Sequence, residues 1–294
     1  MQQLPTGKDS EDSKMTVWQV DFDRRPLKNT EDYPLWELTI YDPQTQMACH
    51  RFCSEPEVSP DWLQVQLQEL FTLMGTQPSQ FHVFRPRSLT FMQPVGATLN
   101  IPVVATRQTQ GLKQVLHMRA QNYTQMPEYT GQSYDPMAIE PLPPQPMPEE
   151  LWGEQWQFVT LAASELESVL LQRPIPIQGI PQPLLPSQLS IASKTKVPGV
   201  LINGGRRAMQ LAQWLQQRQP ASMQAMRAEL SGLILSAGLN DRYVLVTYDD
   251  PDIVLAAQGF EQGKQNSQGL HFLLVQPDDS GITYTGIWLL SALT

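Results

Sequence analysis

Hydrophobic and polar residues alternate with a period near two in three runs early in the chain: VWQVDF (17–22), LWELTIYD (35–42) and QMACHRFC (46–53). Each predicts a strand, and Asp42-Pro43 with the polar pair after it supplies a turn between the last two. In DWLQVQLQELFTLMG (61–75) the apolar Trp62, Leu63, Leu67, Leu70, Phe71 and Met74 recur at helical spacing, with Asp61 as the expected cap and Gly75 as the stop. FHVFRPR (81–87) and IPVVAT (101–106) predict strands on either side of a short helical or irregular stretch, and a helix begins near Gln110. The second half reads as strand 157–161, helix 164–171, strand 199–203, helix 206–217, strands 233–238 and 242–248, helix 252–262, and strands 270–276 and 282–290. Asn240-Asp241 and Asp278-Asp279-Ser280-Gly281 are the expected tight turns between the paired strands. ITYTGIWLL (282–290) ends in three large apolar residues, as expected of a strand covered on both faces, which places Trp288 in the core.

Two proline clusters break this pattern. Residues 127–150 hold Pro127, Pro136, Pro141, Pro143, Pro144, Pro146 and Pro148, which fix φ and remove amide donors, so no regular element runs through them. RPIPIQGIPQPLLP (173–186) reads as a wrapped loop rather than a ligand for a proline-reading domain. The expected organisation is a flexible leader (1–14), an N-terminal α/β domain (15–126), a Pro-rich linker or strap (127–150) and a C-terminal α/β domain (151–294). The fold class is α/β with α+β-like mixed sheets, two units each built on a mixed sheet flanked by helices.

Composition narrows the function classes. A chain of 294 residues with 41% hydrophobic and 17% charged residues folds into a sizeable core. No apolar run approaches the roughly 18 residues that cross a bilayer, so the protein is not integral to a membrane. The leader MQQLPTGKDSEDSK is polar and carries three acids, unlike secretory or organelle-targeting segments, and a cytoplasmic location follows. Cys49 and Cys53 lie about 13 Å apart along a strand, beyond disulfide reach, and read as reduced, packed thiols. His50 between them does not complete a metal set.

Net charge is -9, which by itself argues against nucleic-acid binding. The distribution of charge along the chain argues the other way. Residues 1–150 carry eleven Lys and Arg against eighteen Asp and Glu, net -7, whereas residues 173–242 carry eight against two, net +6. Within that segment Gly204-Gly205-Arg206-Arg207 follows an apolar strand and opens a helix, where backbone amides and the helix dipole favour phosphate. It lacks the spacing of a dinucleotide fingerprint or a P-loop.

Catalytic signals are sparse. Asp21 and Asp23 on one hairpin arm and Glu37 on the next form a carboxylate group that could hold a divalent metal, in an order similar to the core of metal-dependent nucleases, so the first unit reads as a degenerate nuclease-like core. Such nucleases follow the second acid with x-Lys to activate water. Here the run is Glu37-Leu38-Thr39, so no catalytic residue, metal or cofactor is assigned. His50, His82, His117 and His271 are scattered, and a satisfied, partly buried imidazole is their expected state. No Gly-x-Ser-x-Gly elbow occurs.

The blocks VWQVDFDRRP (17–26), LWEL (35–38), LWGEQWQFVTL (151–161), VPGVLINGGRRAMQLAQWL (197–215), LILSAGLNDRYVLVTY (233–248) and GLHFLLVQPDD through GIWLL (269–290) together resemble the Tab/Atab family of cyanobacteria and chloroplasts. The resemblance runs from about Thr16 to Leu293. It implies an RNA-binding factor needed for translation of photosystem I reaction-centre messages, and in plants for biogenesis of both photosystems, acting on the 5′ leader of a message without chemistry and possessing no agreed catalytic residues. Chloroplast members begin with transit peptides, so the short acidic leader implies a cyanobacterial, cytoplasmic member. The family's Trp-Leu-Leu falls on Trp288, Leu289 and Leu290. It supplies no RNA-contacting residues, so Lys194, Lys196, Arg206, Arg207 and Arg242 are selected as the expected RNA site from charge alone. The rival functions are a photosystem assembly factor that binds translation or assembly proteins, and a metal-dependent nuclease built on Asp21 and Glu37.

Overall fold

The computed structural model describes residues 16–226 and 231–292, so the leader lies outside the described residues, as do Arg227 and Glu229 of the basic segment. Contacts cluster into two compact units, Met1–Ile139 and Glu140–Thr294.

Unit 1 runs β1 (Val17–Lys28), β2 (Pro34–Asp42), β3 (Met47–Ser54), α1 (Pro60–Met74), β4 (Gln80–Val83), α2 (Pro86–Leu99), β5 (Val103–Ala105) and α3 (Gln110–Tyr123). Its sheet has the order β3-β2-β1-β4-β5, an antiparallel meander followed by two strands parallel to β1. The period-two pattern sorts β1 into faces. Trp18, Val20 and Phe22 pack with Leu63, Leu67 and Leu70 of α1 and Met92 and Val95 of α2. Gln19, Asp21 and Asp23 point to the opposite face, yet they too are buried.

Three boundaries differ from those the sequence pattern predicts. The cap of α1 is Ser59, whose hydroxyl accepts from the Trp62 amide (3.1 Å) ahead of Pro60 at the first helical position; Asp61 sits in the first turn, where its charge favours the helix dipole. The strand expected over 81–87 stops at Val83, because Pro86 suits the first position of a helix and α2 starts there. The strand expected over 101–106 shrinks to Val103–Ala105.

Unit 2 runs β6 (Gln145–Pro146), β7 (Gln155–Ala162), α4 (Ala163–Gln172), β8 (Ile177–Gly179), β9 (Lys196–Asn203), α5 (Ala208–Arg218), β10 (Pro220–Met226), β11 (Ser231–Ala237), β12 (Asp241–Tyr248), α6 (Pro251–Asn266), β13 (Leu270–Gln276) and β14 (Gly286–Ser291). Two sheets result, β10-β11-β12-β6 and β7-β9-β13-β14-β8. The protein is thus a mixed α/β chain with three mixed sheets flanked by helices. Residues from both sheets of unit 2 share a core with Leu211, Ala212 and Leu215 of α5.

The sheets are also tied through one residue. Met223 lies on β10, at the edge of its sheet; its N–H donates to His271 Nε2 (2.8 Å) and its carbonyl accepts from Lys264 Nζ (2.7 Å). His271 Nδ1 lies 2.8 Å from the Gly269 carbonyl and therefore carries the ring proton. Protonating Nε2 would set N–H against N–H, and burial, with Lys264 nearby, pushes the His271 pKa down to about 3.

β14 is buried along its length. Trp288 and Leu290 face the α5 side and Leu289 faces the α4 side. A Cβ on Gly179 or Gly286 would collide with the Trp288 ring, so both glycines make room for the indole. The strand expected from Ile282 begins at Gly286 instead. Residues 277–285 form a loop rather than a tight turn, because Thr285 N–H is held by the Val275 carbonyl (2.8 Å) and its carbonyl accepts from Ile177 (3.2 Å). The β11–β12 turn is Gly238-Leu239-Asn240, with Gly238 at φ +52°, and Asp241 already pairs with Ala237. β6, β8 and β10 have no counterpart in the hydrophobic pattern.

Candidate nucleic-acid interface

β9 and β13 are parallel neighbours that end together at Asn203 and Gln276. Gln276 Nε2 donates to Asn203 Oδ1 (2.9 Å) within the protein, and Gly204 N–H donates to the Gln276 carbonyl (2.8 Å). The chain then turns sharply. A Cβ on Gly204 would meet Ala208 Cα at 2.6 Å, and Gly205 has φ +54°, so both positions favour glycine. Arg206 and Arg207 follow in a single 3₁₀ turn, exposed, ahead of Ala208 at the start of α5. The carboxyl ends of parallel strands are where open α/β sheets hold ligands.

Other side chains gather at this end. The 277–285 loop departs from Gln276 and carries Tyr284, over whose ring the Arg173 guanidinium lies at 4.6 Å. Arg173 Nη1 also donates to the Gly281 carbonyl (2.7 Å), which fixes the stack. Beside it opens a cleft of about 400 Å³ lined by Pro174, Ile175, Pro176, Met209 and Ile282. Across β9, Glu154 N–H donates to the Asn203 carbonyl (2.8 Å), and Trp152 stands 53% exposed with its indole N–H on the Met147 carbonyl (3.1 Å). The Glu154 carboxylate lies against Gly205. It disfavours a phosphate within the glycine turn itself, so attraction for anions at this end rests on the arginine side chains.

The five residues selected by charge do not converge. Lys194 and Lys196 are exposed at the start of β9, about 23 Å along the strand from Asn203. Arg242 is the second residue of β12 in the other sheet, its guanidinium 3.2 Å from the Met226 sulfur. The residues on either side of it meet the C-terminal end of α5: Arg218 lies over the Tyr243 ring at 5.7 Å, and Asp241 closes the hairpin whose Gly238 bonds the Arg218 carbonyl. That end is about 16 Å along the helix from Arg207. Of the five, Arg206 and Arg207 alone stand at the carboxyl end of β9, where the structure also brings Arg173 and Tyr284, residues far apart in sequence that the charge count did not single out.

The acidic group of unit 1 is committed elsewhere. Asp21 accepts from Arg25 Nη2 (2.9 Å), Arg85 Nε (3.0 Å) and Ser88 Oγ (2.8 Å). Glu37 accepts from Arg25 Nε (3.0 Å) and Tyr123 Oη and pairs with Arg119, while Asp23 pairs with Arg85 (3.2 Å) and Arg87 (2.9 Å). Arg25 Nη1 also donates to Tyr134 Oη (2.9 Å), and Arg85 donates to the carbonyls of Pro136 (2.7 Å) and Ala138 (2.8 Å), so residues 134–138 strap the network shut. Burial would raise the Asp21 pKa, but Arg25 and Arg85 with the bonds from Arg25 and Ser88 hold it below the ordinary carboxylate value. Oxygens that a divalent cation would need already bind guanidinium groups. Among the described residues no group of three or more His, Cys, Asp or Glu is arranged to hold a metal. Cys49 and Cys53 are free, and burial, followed by Glu57, pushes the Cys53 thiol up to about 12, which keeps it unreactive.

These features describe a two-unit mixed α/β protein whose exposed arginines and an exposed tryptophan gather at the strand ends of its second unit. Residues 17–119 match the family described as RNA-binding protein Tab2/Atab2 N terminal, and residues 134–291 match RNA-binding protein Tab2/Atab2, C-terminal domain. The chain belongs to the Tab2/Atab2 family of RNA-binding proteins. It is 28% identical over 289 residues to the chloroplastic protein TAB2 homolog of Zea mays, covering 96% of this chain and 73% of that protein. The chloroplastic TAB2 homolog of Arabidopsis thaliana is 26% identical over 286 residues, with 96% and 76% covered. Among solved structures, the HTLV-2 integrase catalytic core domain is 12% identical with a TM-score of 0.27, over 40% of this chain and 78% of that one, a superposition too loose to bear on this protein.

Proposed function

We propose that the protein binds RNA through the strand-end face of its second unit and, by holding the 5′ leader of a photosystem I reaction-centre message, promotes its translation and photosystem biogenesis without chemistry. The observation that carries this reading is the position of Arg206 and Arg207 at the carboxyl end of β9, beside an exposed cleft, in a member of an RNA-binding family. Arg–phosphate contact would supply affinity, and the exposed aromatic and apolar groups would take unpaired bases. No cofactor is required. A cytoplasmic location goes with this reading, and among the described residues no helix is long and apolar enough to cross a membrane.

A net charge of -9 favours a second reading, a photosystem assembly factor that works through protein contacts. Crosslinking in cells, with sequencing of bound RNA and mass spectrometry of bound protein from one preparation, separates the two. Enrichment of a photosystem I leader supports the first; stoichiometric protein partners with no RNA enriched above background support the second.

A further inference from the structure

Beside Arg206 and Arg207 stands a surface that attraction for phosphate does not explain. Ile282 is 79% exposed and Met209 is 42% exposed, and with Pro174, Ile175 and Pro176 they wall a cleft whose volume of about 400 Å³ falls in the range of small-ligand sites. Its head is the Arg173–Tyr284 stack, a flat cationic and aromatic platform held at 4.6 Å and pinned by the Gly281 carbonyl. A second, more polar cleft of about 430 Å³, lined by Ser164, Glu165, Ser168 and Gln172, meets the first at Arg173, so the platform lies in an open groove.

We propose that this cleft takes one unpaired base of a single-stranded RNA, stacked on the Arg173–Tyr284 platform and covered on its edges by Ile282 and Met209. The inference rests on the RNA-binding reading and deepens it. Three features select this occupant. Planar guanidinium and phenol surfaces stack on any base, and a base in a duplex has no free face to offer. Met209 lies two residues beyond Arg207, so a base in the cleft carries its phosphates past Arg206 and Arg207. The loop also carries Asp278 and Asp279, so the local charge of three arginines is partly cancelled and stacking must supply much of the affinity. A long basic groove would give the opposite balance.

The test uses the full chain and a single-stranded RNA with 2-aminopurine at one position, whose fluorescence is quenched on stacking. Binding by the unaltered protein should quench the probe. Tyr284→Leu should weaken binding about tenfold and abolish the quench while leaving the salt slope unchanged, and Arg173→Ala, which removes the cationic half of the platform, should weaken binding and reduce the quench. Ile282→Ser, at an exposed position that folding does not need, should weaken binding and reduce the quench at an unchanged melting temperature, and it decides the matter should Tyr284→Leu fail to fold. RNA binding at unchanged affinity with the quench intact in Ile282→Ser and Arg173→Ala would overturn the stacking subsite and leave the RNA reading standing. No RNA binding by the unaltered chain would overturn both.

Discussion

Replacing Arg25 by Met removes the charge that joins Asp21 to Glu37. Both acids have side chains with no solvent exposure, and Arg25 contacts them at 2.9 and 3.0 Å. Breaking a buried pair from one side typically costs about 3–5 kcal/mol, because a charge is left without its partner. The low end applies, since Asp21 retains Arg85 and Ser88, and Glu37 retains Arg119 and Tyr123. At roughly 4 °C per kcal/mol for a unit of this size, unit 1 should melt about 12 °C lower. The deficit should also depend on pH. In the unaltered protein Asp21 has a depressed pKa, so its contribution is present above the unfolded value of 3.8 and is lost as pH falls through the folded one. Without Arg25 its pKa rises, the folded variant takes up a proton more readily, and the gap between the two proteins should narrow from pH 7 to pH 5. Thermal unfolding by circular dichroism at both values measures this. A loss below about 1 kcal/mol, unchanged between pH 7 and 5, would refute the view that the network is a buried, charge-balanced unit.

Trp288→Ala should destabilise unit 2 by about 3–5 kcal/mol, since the indole fills the space left by Gly179 and Gly286; a normal melting temperature with lost RNA binding would instead make it a recognition residue. His271 remains neutral in the folded state down to about pH 3 while the unfolded chain protonates near 6.5, so its contribution is complete above pH 6.5 and falls as pH drops toward 3, by about 5 kcal/mol in all. Urea unfolding from pH 7 to 4 should show this slope and a shallower one in His271→Gln; equal slopes would contradict the assignment. Purified protein with Mg²⁺ or Mn²⁺ should leave single- and double-stranded RNA uncut, and cleavage that disappears in Glu37→Gln would show that the carboxylates are free to take a metal rather than held by arginine.

The hydrophobic pattern located most helices and the long strands because burial on one face leaves a period that survives local irregularity. α1, α3 and α6 are of this kind, whereas β9, β13 and β14, buried on both faces, show as continuous apolar runs. The pattern failed where pairing does not depend on side chains. β6 is two residues, Gln145 and Pro146, in a Pro-rich stretch, β8 is three residues inside a Pro-rich loop, and β10, PASMQAM, offers no branched alternation and forms through its backbone ladder with β11. The acids of β1 and β2 read as a carboxylate group that could hold a metal, because nothing in a local window shows that Arg85, just ahead of α2, and Arg119, on α3, arrive to pair with them. At the carboxyl end of β9, the placement of Arg206 and Arg207 was legible from strand, glycine pair and helix in succession. Arg173 meets Gly281 across 108 positions, a contact that only the folded sheet creates, and local net charge grouped with the arginines Lys194, Lys196 and Arg242, which the fold places elsewhere.

If Arg206 and Arg207 at the end of β9 hold RNA phosphates, the most direct test is to titrate one single-stranded RNA into the full chain and into Arg206→Ala/Arg207→Ala at several salt concentrations. Lys194→Ala/Lys196→Ala serves as the control at the opposite end of the strand. The arginine variant should bind more weakly, with a salt slope shallower by about 1.4 for two lost phosphate contacts and an unchanged melting temperature, and the control should bind as the unaltered protein does. Equal affinity and slope in the arginine variant, or a loss confined to the lysine variant, would contradict the assignment of RNA to this end of the sheet.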